Sequence, residues 1–197
     1  MNQRSLSILL AIILASPILA NGEKEKKSDS QAMMDMYIEM AKPVASHDRL
    51  RAFTGTWNVA SSMWMSPSEP PLRVNGTATG RMILGGRFLQ LDTTLGAPYA
   101  EEMLTILGFD RRTDEYTLVG YDTLGTYYIT AAGKFDAVKN AIVLDGEYAQ
   151  PPSGTMQSYR FVLEQPRPAE HRMRLYFAMP DGKDMLVSEI IMTKAER

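Results

Sequence analysis

The amino-acid sequence predicts an all-β protein, a single antiparallel up-and-down β-barrel of about ten strands with an N-terminal helix capping one end. The stretch 50–65 reads LRAFTGTWNVASSMWM. Its apolar residues Trp57, Val59, Met63 and Met65 all fall on alternate positions, a period of two that is typical of a strand with one buried face. Short alternating stretches separated by turn-forming residues continue to the C-terminus. Because no long helix interrupts them, neighbouring strands must pair antiparallel, and closing the sheet removes its exposed edges.

Each later strand is bounded by polar, glycine-rich or proline-rich segments. Gly85-Gly86 and Asp181-Gly182 are strong hairpin signals. The predicted strands after the first span 72–84, 87–95, 101–109, 115–122, 127–135, 141–148, 155–163, 171–179 and 185–193.

Residues 1–20 have the pattern of a secretory signal peptide. Arg4 precedes an apolar run from Leu6 to Ala15, and Ala20 offers a small residue for cleavage. An uncleaved membrane anchor is the alternative, but the run is shorter than the roughly 20 residues that a membrane-spanning helix needs. We therefore expect a periplasmic or secreted protein that begins at Asn21 and keeps no membrane anchor.

Between the signal peptide and the first strand, residues 21–30 are charged and predict a flexible tether. The barrel domain then spans 31–197, with an N-terminal helical segment at 31–54. Its first helix, 31–42, is capped by Asp29 or Ser30 and ends at Pro43. The helix carries an apolar stripe at helical spacing, formed by Met33, Met36, Tyr37 and Met40.

We expect this stripe to plug one barrel end as ordinary core; a methionine-lined lid over a ligand mouth is the alternative. A second short helix, with Ser46 as its N-cap, should place Leu50 and Phe53 beside Trp57.

Composition narrows the function classes. The sequence has no cysteine, and without Arg4 it has 20 basic and 23 acidic residues, a net charge of −3 that favours neither nucleic acid nor an anionic membrane surface. The only histidines are His47 and His171, too few for a metal site of usual composition, and no cofactor is indicated. We expect His171, at a strand start, to be solvated. No Gly-x-Ser-x-Gly or phosphate-binding motif occurs.

Several short motifs together resemble a bacterial family called domain of unknown function 1579. They are His47 with Leu50, Gly55-Thr56-Trp57, the block GRMILGGRF at 80–88, Gly120-Tyr121-Asp122 and Gly146-Glu147. The resemblance covers the chain from Met33 onward, and its most specific part is Leu-Gly-Gly-Arg-Phe. It implies a calycin-type, lipocalin-like barrel, and it brings neither an activity nor catalytic residues.

Alternation along the last strand places Glu189 in an apolar row with Met185, Val187 and Ile191. An inward-facing carboxylate needs a cationic partner, and the candidates are Arg81, Arg87 and Arg160. Such a pair would orient the polar head of a ligand; a structural ion pair or a solvent-facing Glu189 is the alternative.

The same alternation places Tyr127 and Tyr159 inside, where they join the candidate ligand-binding residues, and Tyr176 outside. In strand 87–95 it favours a leucine face toward the core and Gln90 with Asp92 toward solvent.

These patterns favour an exported barrel that binds a small apolar or amphipathic ligand in its lumen. An enzyme using Glu189 or Asp122 with tyrosines is the second hypothesis. A structural envelope protein with a filled barrel is the third. Ligand identity and oligomeric state stay open at this point.

Overall fold

The computed structural model describes residues 28–98, 100–150 and 152–196. The expected signal peptide, its cleavage site and residues 21–27 of the expected tether therefore lie outside the described residues. The helices are α1 (Asp29–Met40) and α2 (Ala45–Arg51). The strands are β1 (Gly55–Met63), β2 (Leu72–Ile83), β3 (Phe88–Leu95), β4 (Glu102–Asp110), β5 (Glu115–Asp122), β6 (Tyr128–Asp136), β7 (Ala141–Ala149), β8 (Met156–Arg167), β9 (Glu170–Ala178) and β10 (Asp184–Lys194).

The ten strands form a closed barrel in chain order, and β10 pairs with β1 to complete the ring. All pairings are antiparallel, which confirms the predicted up-and-down barrel. The largest difference from the predicted bounds is in β8, which runs on to Arg167. There the register with β9 shifts between Glu164 and Arg167, and this irregularity accommodates Pro166 in the strand.

The end of the barrel next to α2 is closed by apolar side chains. Leu50 and Phe53 are buried against Trp57, as predicted, and the Trp57 indole N–H donates to the Phe53 carbonyl oxygen at 2.9 Å. Gly80 lies directly on that carbonyl, since a Cβ added there would be 2.1 Å from the oxygen. Glycine is therefore the residue that lets the α2–β1 connection pack onto β2.

His171 belongs to this closed end, so the prediction that it is solvated is wrong. Its side chain is fully buried, and Nε2 lies 2.9 Å from the Ala52 carbonyl oxygen. The ring stacks on Phe53 at 3.9 Å and meets the edge of Trp57 at 4.8 Å. Burial lowers the pKa of His171, and the nearby Lys194 charge lowers it further. The start of β9 is covered because the chain after α2 folds across it.

The helices divide their roles differently from the prediction. Helix α1 begins before residue 31, and its N-cap is Ser28, whose hydroxyl accepts from the Gln31 N–H at 3.2 Å. None of the residues of α1 is buried, so the prediction that its methionine stripe plugs the barrel end as core is wrong. Neither described helix is long and apolar enough to cross a membrane.

Helix α2 is the one that closes the barrel, because it buries His47 and Leu50. Its N-cap is Val44 and not Ser46. The Val44 N–H donates to Nδ1 of His47 at 3.0 Å, so the histidine side chain supplies the capping acceptor.

Candidate functional site at the open end of the barrel

The barrel end opposite α2 is the candidate site, and we call it the open mouth. A small cleft of about 10 Å³ lies on its inner wall. The cleft is lined by Ser61, Met63, Leu72, Val74, Leu95, Gly96 and Glu101. Apolar side chains therefore surround one carboxylate and one hydroxyl, which is the combination that amphipathic ligands need.

Glu101 is the distinctive residue of the open mouth. It lies at the end of the β3–β4 connection, and its carbonyl oxygen accepts from the Leu95 N–H at 2.8 Å. Only 5% of the residue is exposed, yet within the described part of the chain no donor hydrogen-bonds or ion-pairs with its carboxylate. Burial raises the pKa of Glu101, and the negative charge of Asp122 raises it further.

Asp122 stands at the end of β5 and pairs across the sheet with Met103, a residue that packs against the core. Residues directly opposite each other face the same side, so Asp122 lies on the inner face with Met103. Its carboxylate also accepts from the Leu124 N–H at 2.9 Å, which holds the turn after β5. The open mouth therefore contains two neighbouring carboxylates, and among the residues that the structure describes, only Asp122 has a hydrogen-bond donor.

Aromatic rings form the opposite wall. Tyr159 is buried, as predicted, and its hydroxyl donates to the Thr130 carbonyl oxygen at 2.7 Å. The Tyr148 ring lies 5.9 Å from both Tyr159 and Phe177. Burial raises the pKa of Tyr148 and of Tyr159, so both hydroxyls stay protonated near neutral pH.

Tyr127 is 48% exposed, so its predicted inward position is wrong. The residue lies in the turn before β6, where the alternation of the strand has not yet begun.

Glu189 faces the outside of the barrel, and its predicted inward position is wrong. The register of β10 shifts between Leu186 and Ser188, a bulge that reverses the alternation after Met185. Glu189 consequently lies opposite Arg174, on the outer face, and its Oε1 is 3.2 Å from the Arg174 Nε. Arg172 lies 3.6 Å from the same oxygen. The ion pair is thus real, but its arginines are neighbours on β9.

The three predicted arginine partners are dispersed. Arg81 lies on β2, and its Nη1 is 3.9 Å from Oδ2 of Asp92 on β3. Both side chains are on the outer face of the barrel, where the prediction placed Gln90 and Asp92. Arg87 lies in the β2–β3 turn and donates to the Leu84 carbonyl oxygen at 3.0 Å. Arg160 on β8 pairs with Asp145 at 2.8 Å. The structure therefore does not assemble Glu189 and these arginines into one site.

Sequence reasoning missed Glu101. The signal was present, because Glu101 shares its alternating row with Met103 and Leu107, both of which face the core. Following the inward-facing row back to the first residue of the predicted strand 101–109 would have placed the Glu101 carboxylate inside.

The charged residues of the open mouth do not form a recognisable metal centre. Among residues 28–98, 100–150 and 152–196, no group of three or more His, Cys, Asp or Glu side chains is arranged to hold a metal ion.

The closed ring of ten antiparallel strands defines the class of protein, an up-and-down barrel of the calycin-like type. Within that class, the model of a protein family of unknown function, DUF1579, matches residues 42–194, and the chain belongs to this family. Its fold is similar to the crystal structure of Rv2717c from M. tuberculosis, with 12% sequence identity and a TM-score of 0.55. That comparison covers 79% of this chain and 100% of Rv2717c, and it supports the fold alone. No curated protein matches the chain.

Proposed function

We propose that this protein binds a small amphipathic molecule at the open mouth, with the polar head of the ligand at Glu101. The observation that carries the proposal is Glu101: the residue is 5% exposed, its carboxylate has no donor among the described residues, and its oxygens are not among the fully buried side-chain atoms. A carboxylate that has lost most of its water without gaining a donor is destabilised, so a ligand that supplies a cationic or hydrogen-bonding head stabilises the site. The apolar part of the ligand would lie against Met63, Leu72 and Val74.

The size of the cleft limits the head group. A volume of about 10 Å³ is close to the space that one water molecule needs. A primary ammonium group has that size, whereas a quaternary ammonium group does not. The closed half of the lumen is filled by side chains such as Trp57 and Leu107, so the apolar tail would leave toward the mouth and not toward α2.

Matched eight-carbon probes test this proposal. Binding of octylamine, octan-1-ol and octanoate is measured by isothermal titration calorimetry on the mature protein. We expect octylamine to bind most tightly and Glu101→Gln to weaken it at least tenfold. The control is Glu102→Gln, since Glu102 is the adjacent carboxylate and is exposed.

Two results would contradict the proposal. Binding of none of the three probes would argue against a small-ligand site at the open mouth and would favour a purely structural barrel. Equal binding of octanoate and octylamine would show that Glu101 does not select the head group. Native mass spectrometry of protein purified from its own envelope would then identify any ligand that is retained.

A second candidate function is acid–base catalysis in the same place. It is favoured by the raised pKa of Glu101 beside Asp122, because a carboxyl group that keeps its proton to higher pH is better suited to act as a general acid. The raised pKa values of Tyr148 and Tyr159 mean that in such an enzyme they would donate hydrogen bonds or protons and would not act as bases. An enzyme that hydrolyses or eliminates would change the mass of a retained ligand on incubation, and one that isomerises would change its chromatographic retention. Glu101→Gln would abolish either change, whereas a carrier would cause neither.

We also propose that the chain is exported. The support is the basic start, the short apolar run and the small residue at Ala20. Periplasmic fractionation followed by N-terminal sequencing should find a mature protein that begins at Asn21. An intact Met1 on a protein that pellets with membranes would contradict export by cleavage.

A further inference from the structure

A second cleft lies at the other end of the molecule, at the rim of the barrel beside α2. It has a volume of about 360 Å³ and lies between the α1–α2 connection and the turns that join β2 to β3 and β4 to β5. We call it the arginine cleft, and its lining includes Met40, Arg87, Phe88, Phe109, Arg111 and Arg112. Its volume is within the range of about 300–1,000 Å³ that small-molecule sites usually have.

The charges around this cleft do not balance. Arg112 is neutralised by Asp110: its Nη2 donates to Oδ2 of Asp110 at 2.6 Å, and its Nε donates to Oδ1 at 3.0 Å. This ion pair and the Arg112 backbone N–H hold the pKa of Asp110 at about 2. Asp110 is therefore already paired with Arg112 and does not neutralise the other arginines of the cleft.

Arg87 and Arg111 are those arginines. Each uses part of its guanidinium group to hold backbone carbonyls: Arg87 donates to Leu84, and Arg111 donates to Glu39 and Lys42. Among the described residues, neither has a carboxylate within 4.0 Å. A guanidinium group has five N–H donors, so donors remain on both for a planar anion.

The apolar side of the cleft is made by two phenylalanines. The Phe88 ring lies on the backbone of Gly108, where an added Cβ would be 2.8 Å from two ring carbons. Phe109 packs between His47, at 5.8 Å between ring centroids, and Tyr116, at 4.9 Å. Both rings are thus held in place by neighbours, which favours binding of a flat apolar group against them.

We propose that the arginine cleft binds a small organic anion with an aromatic body. Its carboxylate or phosphate group is held by Arg87 and Arg111, and its ring lies against Phe88 and Phe109. Guanidinium groups recognise both anions through paired N–H donors, and their positive charge raises the local concentration of anions. This site is separate from the open mouth, so it does not depend on the function proposed there.

Naphthalene probes that differ only in their head group test the proposal. Affinities for 2-naphthoate, 2-naphthyl phosphate and 2-naphthol are measured by isothermal titration calorimetry on the mature protein. We expect at least one anion to bind ten times more tightly than the neutral 2-naphthol and to weaken as salt rises. A preference for naphthoate or for naphthyl phosphate identifies the head group.

Arg87→Gln is the deciding variant, because its side chain holds only a turn carbonyl and its removal should leave the barrel folded. It should weaken the anion at least tenfold without changing octylamine binding at the open mouth. Arg160→Gln is the matched control, since Arg160 is an outer-face arginine on β8, paired with Asp145 and Asp184. Arg111→Gln should weaken binding similarly. Because Arg111 donates to carbonyl oxygens at the end of α1, the helix content of this variant is checked by circular dichroism.

Three results with the probes and with Arg87→Gln would overturn the proposal. They are equal binding of 2-naphthol and the anions, an unchanged affinity in a folded Arg87→Gln protein, and no binding of any probe. An equal loss of affinity in Arg160→Gln would also overturn it, because the effect would then reflect total charge.

Discussion

Replacing Trp57 tests whether the barrel end next to α2 is held together as the structure indicates. The side chain is 1% exposed, its N–H donates to the Phe53 carbonyl oxygen at 2.9 Å, and the ring touches His171. The Lys194 ammonium lies 4.2 Å from the ring centroid. One side chain therefore connects α2, β9 and β10, and its loss should be felt at all three.

The expected magnitude follows from these contacts. Trp57→Ala should lower the free energy of unfolding by about 5 kcal/mol, the upper end of the range for deleting a buried large aromatic, because it also leaves a buried carbonyl unpaired. Trp57→Phe keeps an aromatic ring but removes the N–H donor. It should cost about 1–3 kcal/mol, the usual penalty for an unsatisfied buried acceptor.

Urea denaturation at pH 7, followed by circular dichroism, measures both variants. The sequence has two tryptophans, so in a Trp64→Phe background the tryptophan fluorescence comes from Trp57 and reports the burial of that ring. Trp57→Phe keeps the test decisive, because a domain of ordinary stability, about 5–15 kcal/mol, does not always survive the alanine change.

A loss below about 1 kcal/mol for Trp57→Ala would refute the reasoning, because losses that small are typical of surface substitutions. Water-exposed emission from Trp57 in the native protein would refute it independently.

Three further changes test the charged and titratable groups. Glu101→Gln should stabilise the protein at pH 7. Folding raises the pKa of the Glu101 carboxyl, so as pH rises above the ordinary value of 4.5 the unfolded chain releases this proton before the folded protein does. The stability of the wild-type protein therefore falls over this pH range, and the glutamine variant avoids that loss. The gain should disappear below pH 4.5 in thermal melts, and Glu102→Gln should show no such dependence. Folding lowers the pKa of His171, so the stability of the protein should fall as pH drops through 6.5. His171→Phe should remove this pH dependence in urea melts at pH 5–8. The variant should also lower the free energy of unfolding by about 1–3 kcal/mol, because the hydrogen bond to the Ala52 carbonyl oxygen is lost. Glu189→Gln should cost roughly 1 kcal/mol or less, because it is an outer-face ion pair and Arg174 keeps a second carboxylate at 2.7 Å; a loss above about 3 kcal/mol would indicate an interior carboxylate.

Much of the fold was predictable because its signals are local. The alternation that begins near Trp57 and the turn residues between strands located every strand, and the inward leucines of β3 followed from the same period of two. The contact of Leu50 and Phe53 with Trp57 was also predictable, since the three residues are close in the chain. Tyr159 belongs to this group, because it lies well inside a regular strand.

The candidate sites were less predictable, because they depend on irregularities and on distant segments. One bulge near Val187 reverses the row that contains Glu189, and composition does not announce such a bulge. The two clefts draw their residues from several strands and turns; Arg87 and Arg111, for example, meet only because their turns adjoin the α1–α2 connection. The sequence named Arg87 as a candidate but with the wrong partner.

The sequence by itself therefore determined the class of fold, the order of the strands and the inner face of each regular strand, since these follow from side-chain spacing within a segment. Tertiary structure alone decided that α1 stays outside the core, that His171 is buried under Ala52, and that Glu101 has no partner among the described residues. The physical reason is closure of the barrel. Which polar groups lose water depends on contacts between residues such as Ala52 and His171, which lie 119 positions apart and meet only when the ring of strands is complete.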